Sequence, residues 1–265
     1  MNNSDFLIED DFDFLEELSA NAHDIFLKRI NMTPAKYDKL CQPYLEECDY
    51  YKNIYEEQSK LALHYKKTLL NNSIKKEYSV GGETIHRGFY CPSLIKDIVI
   101  GNCKRGRLCK SGNKKITHIY HFDNDHKIIV IKQDDGIEYI TYDNNNSLGI
   151  SYDDENGIQK ICQCKYNNLG KIEEYSLAFF SNGKIEQLDK EIYTYSSDSV
   201  IVEESSLLIL NRFKDEPVQL NLNKYIFTVE NGYLTNYITD VFYTENISNQ
   251  PIKERMRKIT IKRKV

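Results

Sequence analysis

The chain has 265 residues, 40% of them hydrophobic and 28% charged, which is enough for one large domain or two modest ones and unlike a disordered chain. A net charge of -5 and a pI near 5.8 mean weak repulsion from a nucleic-acid backbone, so nucleic acid is not the expected partner. No Lys or Arg precedes Lys28, and no run approaches the roughly 18 apolar residues of a membrane span, so neither a signal peptide nor a membrane helix is expected.

Seven cysteines, an odd number with no secretion signal, point to reduced thiols and a cytoplasmic location. Twenty tyrosines without a tryptophan favour strands over helices.

In chain order, Leu15, Leu18, Ala22, Ile25 and Phe26 form an apolar stripe that predicts a helix over 10–30, with an acidic start suited to the helix dipole. Thr33-Pro34 predicts the start of a second helix reaching about residue 70. Pro43 predicts a kink or break near Gln42, with 43–71 as the longer piece. Cys41, Tyr44, Cys48, Tyr51, Tyr55, Gln58, Ala62, Tyr65 and Leu69 make a heptad-like seam. It predicts a seat on another helix or on the β-domain, or else a homodimer through 41–69.

From 71 to 113 glycines punctuate short apolar runs, of which 94–100 is the strongest strand candidate. Lys104, Arg105, Arg107, Lys110, Lys114 and Lys115 then form a basic connection. Strands are predicted at 116–121, 127–132, 137–142, 147–152, 158–166, 171–179, 184–195 and 200–210, then at 218–222, 225–229, 233–244 and 258–264. The aromatics at Tyr152, Tyr166, Phe180 and Tyr195 recur at steps of 14, 14 and 15, about one strand plus one turn, which favours neighbour-to-neighbour antiparallel pairing. Ile158, Cys162, Cys164 and Tyr166 are expected on one face of their strand, and Asn231-Gly232 is a hairpin turn. The expected fold is α+β: a helical segment over 1–71, then a large open or curled antiparallel meander over 72–265 with divergent repeats at about 114–210.

The unit Tyr166-Asn167-Asn168-Leu169-Gly170-Lys171-Ile172 resembles the YD repeat of Rhs and teneurin-type proteins, in which a Tyr-Asp pair, a short turn, Gly and a strand recur. Tyr142-Asp143 and Tyr152-Asp153 keep the dipeptide, whereas Tyr166-Asn167 and Phe180-Ser181 depart from it. The resemblance covers about 122–195 and implies a β-meander. A small acidic meander with a helical head is also similar in style to the immunity proteins that bacteria keep beside polymorphic toxins.

Chemistry-bearing residues are sparse. Cys103 with Cys109, and Cys162 with Cys164, miss the usual spacing of a zinc knuckle, and His118 and His121 point to opposite faces of a strand, so no metal is expected. Cys91 with His86, or Cys109 with His118, could form a nucleophile pair, but no third group or oxyanion turn accompanies them. No phosphate-binding glycine loop is present and no cofactor is expected.

The expected function is protein binding without catalysis, as an immunity protein facing a toxin domain. Its contact residues would be the acidic head (Asp10, Asp11, Asp13, Glu16, Glu17) or a sheet face near Asp153, Asp154 and Glu155. The alternatives are a structural repeat protein of a surface system, or an enzyme or nucleic-acid binder using the basic loop 104–115. The basic tail from Lys253 to Lys264 reads as a solvated edge.

Overall fold

The computed structural model describes residues 27–28, 32–80, 86–133, 136–209, 218–241 and 256–265. The acidic head and all of the helix expected over 10–30 except Leu27 and Lys28 lie outside them. Two helices, α1 (Pro34–Gln58) and α2 (Ala62–Thr68), precede the strands β1 (Lys75–Val80), β2 (Arg107–Cys109), β3 (Ile116–Phe122), β4 (Ile128–Gln133) and β5 (Gly136–Asp143). Then come β6 (Asn146–Tyr152), β7 (Ile158–Tyr166), β8 (Ile172–Ser181), β9 (Lys184–Tyr195), β10 (Ser199–Ile209), β11 (Val218–Glu230), β12 (Tyr233–Val241) and β13 (Arg257–Lys258).

All thirteen strands share one open antiparallel sheet in the order β13 to β3, then β1, then β2. From β3 onward each strand pairs with its successor, and between β3 and β10 the connections are short, as hairpins require. The expected α+β class and open antiparallel sheet are observed, but the two strands expected at 218–222 and 225–229 are one, β11.

Two turn chemistries recur along the sheet. After Phe122, Tyr152 and Tyr166 the carboxylate or amide oxygen of Asp123, Asp153 or Asn167 accepts backbone N–H bonds from the residues two and four positions on, at 2.7–3.0 Å. Each of these loops is preceded by a register shift, between His121 and Phe122, Ser151 and Tyr152, and Lys165 and Tyr166. The remaining tight turns use positive φ, at Asn182-Gly183 and Asn231-Gly232, as two-residue hairpins require. One of the shifts corrects the sequence reading. Tyr152 pairs with Ile158 and Ser151 with Lys160, so Gln159 is the extra residue and Ile158 turns to the face opposite Cys162 and Cys164.

Both faces are covered. On the helical face, the register row Val130, Tyr139, Ile150, Ile161, Ala178, Leu188, Leu207 and Leu220 forms the floor on which α1 and α2 sit. Part of the seam expected in the sequence seats them: Cys41, Cys48, Tyr51 and Ala62 are buried in this core together with Tyr37 and Ile54, and Tyr44, Tyr55, Tyr65 and Leu69 pack against it partly buried.

The helix runs through Pro43 without the expected break, since Tyr37 and Cys41 before it and Cys48 and Tyr51 after it are anchored on the same floor. Anchoring on both sides outweighs a lost bond and clash of about 3 kcal/mol. The break falls instead at 59–61, between α1 and α2. Thr33 occupies the cap position, but its side chain makes no cap bond, and Pro34 opens the helix.

The opposite face is covered by a strap, residues 86–105, where the sequence predicted a strand at 94–100. Ile95–Ile100 is instead a π-helical turn. The Ser93 hydroxyl accepts from the Lys96 N–H, and Leu94, Ile95 and Ile98 pack on Tyr175, Leu177, Tyr193 and Val202. Helical pitch lets this apolar run also aim Lys96 and Asp97 inward, which a strand pairing at an edge would not do.

Candidate protein-binding face

α1 crosses the sheet from β11 to β6. The Tyr37 hydroxyl meets the Leu220 N–H at 2.6 Å, Tyr51 bonds Ser176 on β8 at 2.5 Å, and the Tyr152 hydroxyl on β6 donates to the Gln58 carbonyl at 2.8 Å. The helix axis therefore lies along the register rows, across the strands. Beside it, towards the 144–145, 167–171 and 196–198 turns, no helix among the described residues covers the next rows of the same face.

The first open row reads Lys165, Glu174, Ile192, Glu203, Lys224 from β7 to β11. The second reads Thr194, Ile201, Ile226, Ile238 from β9 to β12. Ile192 and Ile226 are each 39% exposed, high for isoleucines at the centre of a large sheet.

Two hollows mark this lane where it meets α1. One of about 390 Å³ lies over β5 to β8 and includes Tyr50, Thr141, Leu148 and Gln163. The other, about 440 Å³, lies over β9 to β11 and includes Pro43, Tyr44, Glu47, Lys190, Ile192 and Leu222. Between them the Lys190 ammonium donates to both oxygens of Glu47 at 3.0 Å and lies 3.3 Å from Glu174. Burial disfavours that charge, but the two carboxylates hold Lys190 protonated above its ordinary range. Glu203 keeps a mostly exposed side chain, paired only loosely with Lys224 at 3.6 Å. The outer side of α1 is acidic, with exposed Asp38, Glu46, Asp49, Glu56 and Glu57 against Lys36, Lys39 and Lys52.

The other titratable clusters are sealed under the strap. Arg87 donates from Nε to both oxygens of Glu138 at 3.0 and 3.1 Å and from Nη2 at 2.7 Å, and His86 Nε2 lies 3.3 Å from the same carboxylate. Gly149 makes room for this pair, since a Cβ there would overlap both Arg87 and Glu138. Burial alone would raise the Glu138 carboxyl, but Arg87 and His86 hold it well below the usual carboxylate range. Burial lowers His86 to about 4.

Further along, Ser93 donates to Glu191 at 2.5 Å, Tyr193 bonds the other Glu191 oxygen, and Lys96 meets Asp189 at 2.8 Å. Burial pushes Glu191 up to about 8. Asp97 receives Arg263 at 2.7 Å and Arg105 at 3.3 Å. None of these groups has the solvent access that a reacting site needs: Glu138 and Asp97 are 0% exposed and Glu191 1%.

Compared with family models, curated proteins and solved structures, the chain shows no significant match.

The structure separates the residues singled out in the sequence. Asp153, Asp154 and Glu155 form the β6–β7 turn, at the end of the sheet opposite the open lane, and the Asp153 carboxylate is taken up by the N–H groups of Glu155 and Gly157. Asp154 and Glu155 are exposed there but do not line a sheet face.

Cys91 is buried, its thiol pushed up to about 12 by burial, and donates to the Ser93 carbonyl, while His86 is engaged by Tyr175 and Glu138. Cys109 sits on the edge strand β2, and His118 bonds Thr117 and stacks on Tyr120. Among the described residues no three His, Cys, Asp or Glu gather as metal ligands, and no helix is long and apolar enough to cross a membrane.

The basic loop is partly spent on the fold: Arg105 binds Asp97 and the Lys262 carbonyl and covers the Phe89 ring. In the tail, Arg263 holds Asp97 and the carbonyls of Cys91 and Pro92, and β13 is only two residues long where a strand over 258–264 was expected.

Proposed function

We propose that this chain is a non-catalytic protein-binding module, and that its concrete role is that of an immunity protein holding a toxin domain. The observation that carries the reading is the open lane beside α1: an apolar centre of isoleucines, hollows at the helix edge, and a rim of carboxylates and lysines. Apolar centres within charged rims are what protein interfaces use, and the titratable clusters that could do chemistry are instead sealed into the fold.

The acidic outer side of α1 favours a basic partner and makes association faster at low salt. The test is co-expression with the product of an adjacent gene that arrests growth. The reading expects a stable co-purifying complex and restored growth, and absence of both would reject it.

A further inference from the structure

We infer that the lane beside α1 is the seat of the chain's own residues 10–28, laid as a helix antiparallel to α1, and that a partner binds by displacing them. The seat stands on the chain alone. The displacement rests on the protein-binding reading.

Chain continuity selects this occupant. Leu27 and Lys28 are helical, and Leu27 is 3% exposed within the core under α1 and α2. The Leu27 carbonyl accepts the Met32 N–H at 3.0 Å, a bond from five positions on of the kind that closes a helix C-terminus, and Met32 packs against the same core. α1 then opens at Pro34, and its Tyr37 hydroxyl meets the Leu220 N–H on β11. Helices joined by so short a link are antiparallel neighbours. The residues before Leu27 then lead back from β11 towards β5 on the helical face, alongside α1.

The sheet has room for such a neighbour on one side of α1 only. On β10, Leu207 of the floor is two residues from the strand end at Ile209 and eight from its start at Ser199. On β11, Leu220 is two residues from the start at Val218 and ten from the end at Glu230. Two residues at about 3.3 Å each cover roughly 7 Å, less than the roughly 8–10 Å between packed helix axes, whereas eight to ten cover roughly 26–33 Å. The lane is on the roomy side.

Length agrees with this placement. The lane runs from Thr141 on β5 to Leu222 on β11, six strand spacings of about 4.8 Å or roughly 29 Å. Residues 10–28 as a helix span roughly 28 Å at about 1.5 Å each. The stripe Leu15, Leu18, Ala22, Ile25 and Phe26 then meets the rows of Ile192 and Ile226, so two apolar surfaces leave water together. Charge does not choose the occupant, since the nearer row holds Lys165 and Lys224 as well as Glu174 and Glu203.

The test uses full-length chains carrying Ile192→Cys, with maleimide labelling at that site read by peptide mass spectrometry. Leu169→Cys, at an exposed turn outside the lane, is the reference. Ile192→Cys is expected to label at least tenfold more slowly than the reference. Adding Leu15→Asp/Leu18→Asp is expected to raise its rate at least tenfold and to leave Leu169→Cys unchanged. A synthetic peptide of residues 8–28 is expected to restore the protection. A displaceable segment is weakly held, so the urea midpoint should stay near that of the parent. Should the double variant lose its near-ultraviolet circular dichroism, Leu18→Gln carries the same expectation.

Protection indifferent to these substitutions in a folded chain would overturn the seat. So would protection that grows with protein concentration, which marks a second copy of the chain. Affinity for the co-expressed partner is expected to rise at least tenfold in Leu15→Asp/Leu18→Asp, and parental affinity there would overturn the displacement. Absence of any cognate complex would reject the protein-binding reading and the displacement with it, while the labelling still decides the seat.

Discussion

The two faces of the sheet are covered in different ways. On one, α1 and α2 sit on an apolar floor, and tyrosine hydroxyls such as those of Tyr37, Tyr51 and Tyr152 find neutral hydrogen-bond partners at the border. On the other, the strap carries charge into the interior, where Arg87 meets Glu138, Lys96 meets Asp189 and Arg263 meets Asp97. Apolar contact is tolerant of sliding and can end anywhere, which leaves an open lane beside α1. Buried ion pairs are satisfied in one arrangement only, so the strap has a fixed seat. The contrast puts specificity of fold on the strap side, and the proposed binding function assigns the partner to the helical side.

The largest effects should come from the strap. Glu138→Ala strands the Arg87 guanidinium at 5% exposure and should cost about 3–5 kcal/mol in urea unfolding. Replacing both partners with apolar residues, Arg87→Met with Glu138→Leu, should cost much less. Equal losses in the single and double variants would mean that packing rather than charge fixes the strap.

Next in size is a pH effect on the same face. Glu191 is raised by burial to about 8. Its unfolded value is about 4.3, so the stability it contributes is complete below that value and is lost as pH rises through about 8, at up to ~1.4 kcal/mol per pH unit. Urea midpoints should fall between about pH 5 and pH 9, and Glu191→Gln should flatten that limb. An identical slope in the variant would contradict the assignment.

The helical face should respond less. Tyr51→Phe removes the bond to the buried Ser176 hydroxyl and should cost about 1 kcal/mol. Asp153→Ala frees two turn N–H groups into solvent and should cost at most about 1 kcal/mol, read by thermal unfolding. A loss from Tyr51→Phe as large as that from Glu138→Ala would erase the contrast between the faces.

The meander and most of its strand boundaries were legible because apolar runs and Asp/Asn-Gly turns are local signals. Asn231-Gly232 and the aromatic-Asp/Asn pairs needed nothing distant to be read. The strap was not legible: 94–100 read as a strand and His86 as half of a nucleophile pair, because the partners that fix them, Glu138 for Arg87 and Asp189 for Lys96, lie 51 and 93 residues away in sequence. The lane was hidden for a related reason. Ile192, Ile201, Ile226 and Ile238 become neighbours only through register, and a one-residue shift such as that at Gln159 exchanges the faces of everything beyond it. Pro43 misled because its local cost was visible and the tertiary anchoring around it was not.

The central claim is that partner binding belongs to the helical-face lane while the strap serves the fold. It is tested most directly by measuring affinity for the co-expressed partner and urea stability together in Ile192→Asp/Ile226→Asp. The account predicts stability within about 1 kcal/mol of the parent, as for exposed sites, with affinity lowered at least a hundredfold. Parental affinity in a folded double variant would contradict it.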